Sequence, residues 1–291
     1  MDQPIFLMTE PDHFGVVYQI NPWMRPDSWH ADPVAGLSAA RAASRALRAA
    51  LIETGAKVEM IPAAPGLPDL VFPANAAIIL DGVVVPARFR HPERQGEEAM
   101  FRAAFETLKA RGLVTEIVEL PPDVIQEGAG DCIWDADRGL FWVGHGQRSS
   151  ANSVPAIAQA FGKPLVALEL ASPRFYHLDT CFCPLQGGKL LFYPPAFTPE
   201  ALAAIHSQVA PKDRIEASDE EAQAFCVNAV NFGRQVVMAK APQSLRHKLT
   251  ALGYRLHEVD LAPFILSGGG AYCMTLRLDR RSGSAQLRIR A

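Results

Sequence analysis

LVFPANAAIILDGVVVPARFRHPERQGEEAMFRAAFETLKARGLVTEIVEL, residues 70–120, decides the fold. Its first part, 70–80, is an apolar run interrupted by Pro-Ala-Asn. Asp81-Gly82 is a hairpin signal, because glycine tolerates the positive φ that a tight turn demands. Residues 83–86 return as a second strand. Residues 96–111 then change period: Met100, Phe101, Ala104, Phe105 and Leu108 fall on one helical face. Gly112 is placed to cap that helix at its C-terminal end. Residues 114–120 read as a third strand. The unit is strand, turn, strand, helix, strand.

The same order recurs along the chain. Residues 132–134 and 140–143 flank Asp137-Arg138-Gly139, followed by a helix over 149–161 and a strand over 165–170. Residues 181–185 and 189–193 flank Gly187-Gly188, with a helix over 199–209 and a strand over 214–217. Residues 224–230 and 235–239 flank Asn231-Phe232-Gly233, with a helix over 243–252 and a strand over 254–259. The turns recur about every 50 residues, a period that marks propellers and other repeat arrays. A fifth unit takes one strand from 5–20, an alanine-rich helix over 37–53 and a strand over 57–61. Residues 271–278 and 285–289 can pair back onto that first strand. Five such units predict a five-bladed α/β propeller of ββαβ units, whose closure leaves few exposed sheet edges. The alternative is an open α/β sandwich. No Pro/Gly/Ser-rich linker divides the chain, so residues 1–291 read as one domain.

Composition narrows the function. The chain has 291 residues, of which 49% are hydrophobic and 20% charged, with a net charge of −3. That balance lacks the basic surplus of a nucleic-acid-binding surface. Residues 1–10 have no basic n-region, and no apolar run reaches the roughly 18 residues of a membrane span. The expectation is a cytoplasmic protein with no membrane partner. Five cysteines, Cys132, Cys181, Cys183, Cys226 and Cys273, fit reduced thiols. Cys181 and Cys183 form a C-x-C pair without a second pair, so no zinc site is expected.

Several polar clusters interrupt the apolar pattern. Ser267-Gly268-Gly269-Gly270-Ala271-Tyr272-Cys273 puts a thiol after a flexible glycine turn, at the start of an apolar strand. Backbone N–H groups of such a turn can favour a thiolate, although Cys273 taken alone reads first as a buried structural thiol. Tyr176-His177-Leu178-Asp179 places an imidazole and a carboxylate two residues apart, on one face if the segment is a strand. Glu127-Gly128-Ala129-Gly130-Asp131 carries two carboxylates about small residues, which reads either as a solvated turn or as a pair facing a cation. Asn21, Asn75, Arg94 and Arg148 lie in segments that read as buried, where polar groups must find partners. Arginine suits bidentate binding of a carboxylate.

Taken together, these segments resemble the guanidino-group-modifying, or pentein, superfamily, which includes arginine deiminases, dimethylarginine dimethylaminohydrolases, amidinotransferases and arginine dihydrolases. The ordered set is Asn21-Pro22-Trp23-Met24, Pro68-Asp69-Leu70-Val71-Phe72, Arg94-Gln95-Gly96-Glu97-Glu98, Gly130-Asp131, His177-Leu178-Asp179-Thr180 and Gly268-Gly269-Gly270 followed by Cys273-Met274. It covers nearly the whole chain. The resemblance implies Cys273 as nucleophile, His177 as general acid/base and Asp179 as the carboxylate holding the guanidinium. It implies Arg94 and Arg148 at the substrate carboxylate and Asp69 as a further pocket acid. It implies a small-molecule arginine-type substrate and no cofactor or metal; self-association is left open. It also leaves open whether Glu127 or Asp131 completes the catalytic set, since the acid that many relatives carry at the position of Gly128 is displaced by one residue here. Asn75 stands where deiminases and dimethylargininases commonly carry Asp. With Asn21, it resembles the arginine dihydrolase branch. The expected activity is arginine dihydrolysis to ornithine, carbon dioxide and ammonia. Dimethylargininase, deiminase and amidinotransferase activities are the alternatives, and a binding protein of the same fold is the non-enzymatic one.

Overall fold

The computed structural model describes residues 3–283. Its strands form five separate three-stranded sheets, not the shared sheets of a sandwich. Four blades follow chain order. Ala77–Leu80, Val83–Pro86 and Glu116–Ile117 form the first of these. Cys132–Asp135, Leu140–His145 and Leu165–Glu169 form the next. Phe182–Leu185, Lys189–Phe192 and Arg214–Glu216 follow, then Val230–Phe232, Gln235–Ala239 and Arg255–Val259. In each, the first two strands are antiparallel and the third lies parallel to the second. A parallel neighbour cannot be reached by a tight turn. The helices Pro92–Ala110, Ser153–Phe161, Pro199–Gln208 and Gln243–Ala251 supply the crossovers.

The fifth blade closes the ring. Ile5–Thr9 runs parallel to Lys57–Ile61 across the helix Pro33–Glu53, and its other edge pairs antiparallel with Leu276–Arg277. Phe6 faces Arg277 and Leu7 faces Leu276. The architecture is the expected five-bladed α/β propeller. Residues 285–289, expected as a second pairing segment, lie outside the described residues. No helix among the described residues is long and apolar enough to cross a membrane.

Local chemistry explains the elements. Asp81 and Gly82 both take positive φ, 55° and 85°, as a type I′ hairpin requires. The helix Pro92–Ala110 buries Phe101, Phe105 and Leu108 at helical spacing, whereas Met100 faces outward. It starts four residues before the expected Gly96, because Pro92 occupies its first turn, where a missing N–H is harmless.

The segments expected as the leading strands of the blades depart from the sequence reading in a common way. Residues 70–76 are not strand: Pro68–Val71 and Pro73–Ala76 form 3₁₀ turns, each opened by proline, before the strand begins at Ala77. Residues 224–229 are loop, after a short helix at Asp219–Gln223, and the strand begins at Val230. His177 precedes a 3₁₀ turn, Leu178–Thr180, so His177 and Asp179 do not share a strand face. Cys273 sits in a turn, three residues before the closing strand. The strand expected over 114–120 shortens to Glu116–Ile117, that over 5–20 to Ile5–Thr9, and the helix expected from 149 starts at Ser153.

Candidate active site

Each of those irregular turns leads into a blade's first strand, and together they carry a large share of the polar groups buried in the molecule. The turn before Ala77 brings Asp69 and Asn75. The turn before Cys132 brings Glu127 and Asp131. Those before Phe182, Val230 and Leu276 bring His177 with Asp179, Asn228, and Cys273. Every one of these side chains is at most 3% exposed. Charged groups buried to that degree must be paired or neutral, and their bonding divides them into two walls.

The first wall holds the thiol. Cys273 Sγ lies 3.2 Å from Asp179 Oδ2 and 3.1 Å from Asn228 Nδ2. Burial and the neighbouring Asp179 both raise the Cys273 thiol well above its ordinary range. Burial also pushes Asp179 up to about 7, against the pull of His177. The thiol therefore donates to the carboxylate. The other oxygen of Asp179, Oδ1, is buried and has no hydrogen-bond partner among the described residues.

The second wall holds the imidazole. His177 Nε2 is 2.7 Å from Glu127 Oε2, while Asp131 Oδ2 stands 4.0 Å away. Glu127 also accepts from Arg148 at 3.0 Å and, through Oε1, from the backbone N–H of Arg90 at 3.1 Å. Burial would raise its carboxyl, but Arg148 and His177 more than reverse this and hold it below the usual carboxylate range. Asp131 instead accepts from Ser149 Oγ at 2.7 Å and from the N–H of Leu178 at 2.9 Å, so it anchors the turn bearing His177 and Asp179. Of the two acids left open by the sequence, Glu127 is the one bonded to His177.

Asn75 fixes the imidazole's tautomer. Arg94 donates to Asn75 Oδ1 at 2.9 Å, and a guanidinium can only donate. Asn75 therefore turns Nδ2 towards His177 Nδ1, 3.3 Å away. Nδ1 must be the accepting nitrogen, with the ring proton on Nε2 facing Glu127. Among the described residues no hydrogen bond joins His177 to Cys273.

The remaining expected residues line up around these walls. Arg94 donates two bonds to Glu97, at 2.9 and 2.8 Å, and one to the Asp69 carbonyl at 3.3 Å. Burial opposes its charge, and Glu97 outweighs that. Arg148 spends two of its five N–H groups, on Glu127 and on the Ile20 carbonyl, and stacks over the Tyr176 ring. Asp69 accepts from Tyr18 Oη at 2.9 Å and Ser267 Oγ at 3.3 Å, and burial raises its carboxyl. Asn21 donates to the Ser267 carbonyl and accepts from the N–H groups of Trp23 and Met24. It ties the 20–24 segment to the turn leading to Cys273.

Sequence reasoning missed Asn228, Glu97, Ser149 and Tyr18. Asn228 stands alone among Ala224 to Val230, a segment otherwise apolar but for Cys226, so the rule that drew attention to Asn75 applied to it as well. Glu97 follows Arg94 by one helical turn, a spacing that pairs side chains. Nothing in the pattern marks Ser149 or Tyr18.

A buried thiol beside a carboxylate with an open oxygen, opposite a carboxylate-held imidazole, is a site built for a compact cation. Residues 10–280 match the family model described as N,N dimethylarginine dimethylhydrolase, eukaryotic, and the chain belongs to that family. It is 40% identical over 94% of its length to the bifunctional arginine dihydrolase/ornithine cyclodeaminase ArgZ of Synechocystis sp., though it spans only 37% of that protein. It is 35% identical to the N(G),N(G)-dimethylarginine dimethylaminohydrolase of Mycobacterium tuberculosis, over 94% of this chain and 85% of that one. Among solved structures, the product-bound N-terminal domain of ArgZ superposes with a TM-score of 0.90 at 40% identity, covering 97% of this chain and all of that one.

Proposed function

We propose that the chain is an arginine dihydrolase, converting L-arginine and two waters to ornithine, carbon dioxide and two ammonias. The carrying observation is Asp179 Oδ1, a buried carboxylate oxygen beside Cys273 without a partner among the described residues. A buried anion left open is costly, and a guanidinium N–H pair would satisfy it. Arg148, with N–H groups to spare, and Arg94 hold the substrate's carboxylate end.

The cation's arrival favours ionisation of Cys273. The thiol proton passes to His177, and the sulfur attacks the guanidinium carbon. His177 returns the proton to the departing nitrogen, which leaves as ammonia, and an S-alkylthiouronium remains. His177 Nδ1 then takes a proton from water, and the hydroxide displaces sulfur to give citrulline. Glu127 holds the ring and stabilises its charged form. For the second round the bound urea group meets Asn75, not a carboxylate. A neutral amide can donate and accept, so citrulline is retained and attacked again by Cys273. The likeness to ArgZ over 97% of this chain supports this reading. We further propose that residues 1–291 act as a single catalytic domain, in the cytoplasm, without cofactor.

The family model and the mycobacterial relative favour dimethylargininase activity as the second reading. Assaying arginine, asymmetric dimethylarginine, agmatine and citrulline separates the two. The expected result is ornithine and ammonia from arginine, slower consumption of citrulline, and no activity in Cys273→Ser. Dominant dimethylamine release moves the assignment to the second reading. Near-normal turnover by Cys273→Ser overturns both.

A further inference from the structure

The Cys273 turn has one neighbour that neither the sequence pattern nor the proposed chemistry assigns a task. Asn228 comes from the blade that otherwise gives the site nothing, and its side chain is wholly buried. Oδ1 accepts from the backbone N–H of Tyr272 at 3.0 Å and of Cys273 at 3.2 Å. Two N–H donors settle which end of the carboxamide is oxygen, so the nitrogen must face the other way. There Nδ2 meets Cys273 Sγ at 3.1 Å and the Asp179 carbonyl at 3.1 Å. One carboxamide thus touches the reacting sulfur and joins both turns of the thiol wall.

Two further features make room for it. A Cβ on Gly270 would lie 2.7 Å from Asn228 Oδ1 and 2.8 Å from Phe225 Cδ1, so only glycine permits this approach. Phe225, three residues before Asn228, holds a left-handed backbone, φ 60°, which a bulky residue rarely adopts. Its ring is clamped at 5.0 Å against Trp23. Strain of this kind persists where surrounding structure imposes it, and such positions cluster at functional sites.

We propose that Asn228 is a further catalytic residue: its Nδ2 donates the hydrogen bond that stabilises Cys273 as a thiolate, while its Oδ1 aims the turn carrying the sulfur. The other close group at Sγ, Asp179, is anionic when ionised and opposes the thiolate. Beside the backbone N–H of Gly270, Asn228 is the neutral side-chain donor at Sγ, and it acts before substrate enters. The inference rests on Cys273 being the nucleophile.

Two variants separate donation from anchoring. Asn228→Asp has the same shape and still accepts both N–H groups, but it cannot donate once ionised. Asn228→Leu loses both functions. The probes are the pH dependence of Cys273 alkylation by uncharged iodoacetamide in the free enzyme, with the adduct mapped by mass, and kcat for arginine at each variant's own pH optimum. A hydrogen bond to a charged group corresponds to roughly 10- to 100-fold. Both variants should alkylate only at higher pH than wild type and lose kcat by that order. Asn228→Asp with kcat within threefold of wild type, or with an unmoved alkylation profile, overturns the proposal and leaves Asn228 as an anchor. Should Asn228→Leu fail to fold, the Asp variant decides alone. If Cys273→Ser retains turnover, the underlying reading fails instead, so the two failures are distinguishable.

Discussion

At the scale of single residues, two side chains have opposing consequences for activity and stability. Asn75 sits between Arg94 and His177. An Asp there would still accept from Arg94 but would present an anion to His177 Nδ1, favouring the doubly protonated ring and disfavouring a neutral urea beside it. Asn75→Asp should therefore raise the citrulline-to-ornithine product ratio at least tenfold, read by chromatography of the products; an unchanged ratio removes Asn75 from the second step. Asp179 acts on stability. Its carboxyl ionises near 3.8 when free and near 7 in the fold, burial being the main cause. Between those values the folded state binds more protons than the unfolded one, so stability falls as pH rises through the window, and above pH 7 the penalty is complete. Asn has no such penalty. Asp179→Asn should be more stable than wild type at pH 8 by on the order of 2–4 kcal/mol, with the gap nearly gone at pH 4, although inactive. Denaturant titrations at the two pH values test this, and a variant no more stable at pH 8 contradicts it.

At the scale of elements, the turns before the blades govern the site. Gly128 has φ +65°, and a Cβ there would meet the Ala74 carbonyl oxygen at 2.6 Å and backbone atoms of Asn75 at 2.6 and 2.7 Å. The turns bearing Glu127 and Asn75 are in backbone contact. Gly128→Ala should cost roughly 2–4 kcal/mol, from left-handed strain plus overpacking. Gly112→Ala, equally left-handed but with open space around it, should cost about 1 kcal/mol. Equal midpoints in urea for the two variants would refute the distinction. The same turns show what the sequence conceals. Hairpins, crossover helices and the five-fold repeat were legible, because Asp81-Gly82, Gly187-Gly188 and the Phe101/Phe105/Leu108 stripe have fixed periods. The turns were not, because Leu70 to Ala77 and Ala224 to Val230 are apolar enough to pass for strand. Their irregularity comes from Pro68, Pro73 and contacts to other blades. That masking is why Asn228 was overlooked, and why Asp131 and Glu127 were indistinguishable until their partners were placed.

At the scale of the whole molecule, the ring is held shut by few residues. Besides the Phe6–Arg277 and Leu7–Leu276 pairs, Asp279 accepts from the N–H of Ile5 at 2.9 Å, and Arg280 and Ser282 bond the Asp81 hairpin tip of the adjacent blade. A chain cut after Thr275 loses all of these and exposes one edge of the Ile5–Thr9 strand, a surface prone to pair with other chains. It should unfold at lower urea concentration and elute as larger species on size exclusion. A monomer of wild-type stability would show that closure lies elsewhere. The site's assembly from five separated segments is likewise a property of the ring, since no fewer than four blades are needed to bring Glu127, His177, Asn228 and Cys273 together.

The position of Cys273, three residues before the closing strand, has a consequence for how the enzyme comes into being. A ribosome delivers the other four blades, the imidazole and the acids before the thiol emerges. Until Leu276 docks beside Leu7, the turn that carries the sulfur lacks its C-terminal anchor, although a free cysteine on a growing chain is open to oxidants. Reactivity towards the substrate therefore switches on in the same event that completes the circle. Nascent chains stalled before Leu276 should be inert towards arginine however well their blades have formed.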